Sequence, residues 1–73
     1  METYVRVTFD SEGAKPSEVS DRLVSVGFRP THGNYDFVYD WRGNATRDQI
    51  LELSDELTRQ LRGFRVLLEV ETV

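Results

Sequence analysis

Three groups of side chains in this sequence have types and spacing that could do chemistry. Tyr35, Phe37, Tyr39 and Trp41 place a ring at every second position, with Asp36, Val38 and Asp40 in the gaps. On a strand, that period puts four of the chain's eight aromatic residues on one face, which stacks on a partner if exposed and builds the core if buried. The stretch Asp10 to Lys15 carries Gly13 and Lys15 just ahead of Pro16, a pattern in which backbone amides at a helix N-terminus can hold an anion. Asp10 and Glu12, however, put negative charge where a phosphate would sit, and the loop has no arginine. His32 is the only imidazole and could serve as a general base, but it adjoins a turn glycine with no second catalytic group fixed by spacing. Asp36 and Asp40 lie about 13 Å apart along a strand, too far to share a proton. No catalytic residue is therefore assigned. Trp41 and Arg42, followed by Gly43, form a candidate hot spot at a strand end; the alternative is that Trp41 closes the rim of the core.

Composition narrows the functional classes. The 73 residues make one domain, close to the size at which a single apolar core barely offsets chain entropy; such domains fold alone or gain stability by dimerising. There is no cysteine, which removes disulfides, thiol nucleophiles and iron-sulfur ligation, and a single histidine argues against a metal site. No metal and no cofactor is expected. Thirteen acidic against nine basic residues give a net charge of −4, which argues against general binding to nucleic acid. The apolar runs are too short for a membrane span, and Met1-Glu2-Thr3 leads directly into a strand-like pattern without a charged leader, so a cytoplasmic protein is expected.

The elements that must position these residues follow from periodicity. Tyr4 to Phe9 alternates, with Val5, Val7 and Phe9 on one face. A helix is predicted from Pro16, with Val19, Leu23 and Val26 on its apolar face and Gly27 ending it, followed by Phe28 as the hydrophobic contact. Phe28 to Thr31 is a short edge strand, because Pro30 lacks a donor. His32-Gly33-Asn34 turns into the aromatic strand. Thr46 and Gln49 form a capping box for a second helix, whose Ile50, Leu53, Leu57 and Leu61 make one stripe before Gly63. Phe64 to Val73 alternates as the last strand.

The order β-α-β-β-α-β over the whole chain resembles the ferredoxin-like fold. That resemblance implies an α+β sandwich, a four-stranded antiparallel sheet in order 4-1-3-2 with two helices on one face. The fold hosts hydrolases, RNA binders, metal carriers and regulatory domains alike, so it does not choose a function. Gly33 to Asp40 is similar to the RNP1 signature of RNA-recognition motifs at Tyr35, Phe37 and Val38. It departs at His32, Asp36 and Asp40. The Gly13 to Lys15 loop similarly invites comparison with acylphosphatase-like enzymes.

Charge decides which way the rings face. If they point outward, Asp36 and Asp40 lie under leucine-rich helices, at a cost of several kcal/mol for each unpaired carboxylate in rough terms. With Tyr35, Phe37, Tyr39 and Trp41 inward, the open face receives Tyr4, Arg6, Asp36, Val38, Asp40, Arg65, Leu67 and Glu69, and Arg6 can reach Asp36 or Asp40. These eight residues are the candidate binding surface. The expected role is a small non-catalytic module that binds itself as a homodimer, another protein or a small ligand, through this face or an edge strand. Single-stranded RNA binding through the aromatics is the alternative, and hydrolysis at the Gly13 to Lys15 loop is a weaker one.

Overall fold

The alternation of Thr3, Val5 and Val7 with Tyr4 and Arg6 becomes strand β1, Glu2–Thr8, in a computed structural model that describes residues 1–73. Its odd-numbered side chains are buried. The strand starts two residues earlier than alternation predicts, and so gains Thr3 as a buried polar residue. Phe9, which alternation places in the core, is 44 % exposed, since the β1 ladder ends one residue before it at Thr8.

Helix α1, Pro16–Val26, opens on its proline and buries Val19 and Leu23. Gly27 ends it with φ 121°, and the N–H groups of Gly27 and Phe28 both reach back to Leu23 O, at 3.3 and 3.0 Å. The glycine is needed twice. A Cβ there would approach Tyr39 Cε2 to 2.9 Å, in addition to the strain of the left-handed backbone.

Strand β2 is only Arg29–Pro30, and β3 is Phe37–Asp40. Helix α2, Arg47–Gln60, starts at the capping box: Gln49 N–H donates to Thr46 Oγ1 at 3.2 Å and Thr46 N–H to Gln49 Oε1 at 2.8 Å. Leu53, Leu57 and Leu61 are buried along its stripe. Strand β4, Leu67–Thr72, is shorter than the Phe64 to Val73 alternation, since Arg65 takes a left-handed φ of 57° and breaks the extended run.

The fold is α+β. All strand pairs are antiparallel, and the sheet order β2-β3-β1-β4 is the expected 4-1-3-2 counted from the other edge. Val5, Val7 and Phe37 from the sheet share one cluster with Val19 and Leu23 of α1 and Leu53 and Leu57 of α2, so both helices cover the same face.

The aromatic strand is not read correctly by period two alone. Phe37 is buried, and Tyr39 and Trp41 pack against the core, as the charge argument requires. Tyr35 does not follow them. Asp36 N–H donates to Val5 O at 2.9 Å although Phe37 is the residue opposite Val5, so two residues face one and the strand bulges. The Asp36 carboxylate then accepts Val7 N–H at 2.9 Å, taking the place of a backbone acceptor. This interruption resets the alternation and delivers Tyr35 to the open face.

Candidate functional site

The side of the sheet away from the helices carries Tyr4, Arg6, Val38, Asp40, Glu69 and Glu71, with Tyr35 laid across β1. Tyr35 stacks beside Tyr4 with centroids 5.3 Å apart, the Arg6 guanidinium lies 5.1 Å from its ring centre, and its hydroxyl donates to the Glu71 carboxylate on β4. That hydrogen bond, with some desolvation and the nearby negative charge of Glu71, raises the Tyr35 pKa above its ordinary value. Tyr35 is thus a strap from the β2–β3 turn over β1 to β4.

Arg6 meets neither Asp36 nor Asp40, the partners that strand alternation predicts for it. It pairs with Glu69, its cross-strand partner, at 3.4 Å and donates through Nε to Asn34 O at 2.7 Å. Asp36 is committed to Val7 N–H. Asp40 accepts Arg42 N–H at 2.8 Å, and this local turn holds Arg42 at a left-handed φ of 55°. Val38 has Tyr4 and Arg29 as cross-strand neighbours and is buried without joining the helix-side core.

Arg65 also leaves the expected surface. It precedes β4 and forms an ion pair with Asp10 at 3.3 Å, beside a cleft of about 380 Å³ lined by Thr8, Phe9, Asp10, Arg65, Val66 and Leu67. The loop before α1 is closed upon itself here. Glu12 N–H donates to Asp10 Oδ1, Gly13 N–H to Asp10 O and Ala14 N–H to Phe64 O, so three of the loop's amides are already engaged. A Cβ on Gly13 would lie 2.5 Å from Phe64 O, which gives this glycine a packing role.

Trp41 faces the helices rather than the open face. Its indole Nε1 donates to Thr3 Oγ1 at 2.8 Å, and Thr3 Oγ1 lies 2.8 Å from Thr72 Oγ1, tying β3, β1 and β4 together under the core. No buried side-chain polar atom lacks a partner. Sequence reasoning missed Thr3, because an alternating polar residue next to a start signal carries no mark of burial.

Strand β4 forms the longer of the two sheet edges and is largely exposed. Glu2 and Val73 exchange both backbone hydrogen bonds at 2.9 Å, so the residues in phase with Val73, namely Glu71, Glu69 and Leu67, direct their polar groups to β1. Leu68, Val70 and Thr72 therefore point their N–H and C=O groups outward from a terminal strand. Leu67 is 74 % and Val70 41 % exposed. The opposite edge is blunted: β2 has two residues, one of them Pro30.

No helix is long and apolar enough to cross a membrane, and no three His, Asp or Glu side chains converge as a metal site. Comparison with protein families, curated proteins and solved structures finds no match to this chain.

Proposed function

We propose that the chain is a non-catalytic interaction module of the ferredoxin-like type, which binds an extended protein segment by adding it to the β4 edge. The observation that carries this reading is the asymmetry of the edges: one is two residues long and holds a proline, the other offers three successive outward residues without a proline or lysine to block pairing. Side chains of an added strand alternate between two neighbourhoods. Those beside Leu68 and Val70 meet apolar surface, and those beside Glu69 and Glu71 meet carboxylates. The fitting partner alternates apolar and basic residues.

A second copy of the chain fits this edge less well. A two-fold contact pairs β4 with itself antiparallel, and in the registers that engage most of the strand Glu69 faces Glu71 or Glu69 of the other copy. The homodimer thus needs those charges neutralised. Single-stranded RNA finds only Tyr4 and Tyr35 on the open face, beside Glu69 and Glu71, while Phe37, Tyr39 and Trp41 are turned to the helices.

An NMR titration with an eight-residue peptide of alternating lysine and valine tests the proposal. Shifts centred on Leu68 to Thr72 are expected, with none from an alternating glutamate and valine peptide. Val70→Pro removes an outward N–H without touching the ladder to β1, and should abolish binding in a protein that stays folded. Equal response to both peptides, or undiminished binding by Val70→Pro, overturns it.

A further inference from the structure

A second surface lies on the other side of the molecule. Between β3 and α2 runs a groove of about 400 Å³ lined by Tyr39, Trp41, Gln49, Glu52, Leu53, Glu56 and Arg59. Tyr39 and Trp41 stand edge to face, with centroids 4.8 Å apart and planes at 61°, so their rings form two walls rather than one flat surface. Both walls are fixed. The Trp41 indole is held by its hydrogen bond to Thr3, and Tyr39 rests on Gly27 and Phe28, the latter with ring centroids 5.4 Å apart.

The charges opposite the rings are arranged unequally. Glu56 is occupied by Gln60 at 2.9 Å and by Arg59 at 2.6 and 3.1 Å, and these bonds, that from Gln60 foremost, lower its pKa. Glu52 takes part in none of the chain's ion pairs, which are Arg6 with Glu69, Arg59 with Glu56 and Arg65 with Asp10. The cations that lie over rings are Arg6 on Tyr35 and Arg22 on Phe64, so Arg59 leaves Tyr39 and Trp41 uncovered. The groove offers two preorganised aromatic walls, an apolar floor at Leu53, and one carboxylate left without a counter-charge.

We propose that this groove binds an alkylated ammonium group, with Tyr39 and Trp41 contacting its methyl groups and Glu52 balancing its charge. Ring quadrupoles attract any cation, but a bare ammonium holds its water tightly, whereas methylation spreads the charge over apolar surface that sheds water readily. The same head group occurs on free quaternary amines and on methylated lysine side chains, and both belong to the one chemistry the groove recognises. This site is independent of the β4 edge.

Trp41 is the only tryptophan, so its fluorescence reports on the groove directly. Choline and a short peptide carrying trimethyllysine should each change that emission saturably, and the stronger of the two identifies the source of the group. The uncharged carbon analogue of choline, 3,3-dimethylbutan-1-ol, and the unmethylated peptide should give weaker or no saturation. Glu52→Gln, at an exposed helix position, should leave the fold intact and weaken binding about fivefold. A Glu52→Gln protein that binds as tightly as the native one, a neutral analogue that binds as well as choline, or no saturable change with either cation overturns the assignment.

Discussion

Replacing Asp36 with alanine perturbs the joint on which the open face depends. The carboxylate accepts the Val7 N–H at 2.9 Å in a partly buried setting, and that amide points toward β3, where the bulge leaves no backbone acceptor for it. A hydrogen bond to a charged group contributes about 1.5–3 kcal/mol net, and stranding its donor costs a similar amount when water cannot replace the lost partner. Val7 is 8 % exposed, which limits that replacement, and a loss of about 2 kcal/mol follows for Asp36→Ala. A domain of this size has roughly 5 kcal/mol in hand, so the change is a large fraction of the total. Urea denaturation followed by far-UV circular dichroism reads it: with a slope of about 1 kcal/mol per molar, the midpoint falls by about 2 M. Asp36→Asn retains an acceptor oxygen and should lose less than half as much. An Asp36→Ala midpoint within about 0.5 M of the native value would refute the assignment of Val7 N–H to this carboxylate.

Two further outcomes follow from named contacts. Gly27→Ala should destabilise by about 1–3 kcal/mol despite the better helix propensity of alanine, since the new Cβ meets Tyr39 Cε2 at 2.9 Å with φ at 121°; thermal unfolding measures it, and a raised melting temperature contradicts it. The Tyr35 hydroxyl, whose pKa is raised chiefly by donating to Glu71, should titrate closer to the ordinary 10.0 in Glu71→Gln, as followed by tyrosinate absorbance. Because the folded value is the higher one, this bond's contribution to stability is fully present below pH 10.0 and is lost as pH rises through the folded value. An unchanged tyrosine titration in Glu71→Gln would exclude that contact.

Local signals carried most of the architecture into the sequence. Pro16 and Gly27 bound α1, and Thr46 with Gln49 starts α2, because caps act within four residues and are written in residue type. The burial of Phe37, Tyr39 and Trp41 followed from the cost of burying Asp36 and Asp40 in their stead. Tyr35 escaped this logic because its direction depends on a bulge, which arises from a contact between Asp36 and Val7, 29 residues apart. Arg65 was misplaced for a related reason: alternation continues through Phe64 and Val66, but a left-handed backbone at Arg65 breaks the strand and gives the side chain to Asp10. Arg6 was correctly placed on the open face, yet its partner was not, since Glu69 lies directly opposite and Asp36 is consumed by the backbone. The groove beside Trp41 could not be read at all, because it joins Glu52 of α2 to the end of β3 only through the packing of two layers.

The availability of the β4 edge is tested most directly by residue-resolved amide hydrogen exchange along that strand. An alternation is expected: Leu68, Val70 and Thr72, with N–H groups pointing away from β1, exchange at least about tenfold faster than Glu69 and Glu71, whose N–H groups bond to β1. Addition of the lysine and valine peptide should slow the fast set and leave the other unchanged. Uniform protection from Leu68 to Thr72 in the free protein would mean that the edge is already covered and cannot accept an added strand.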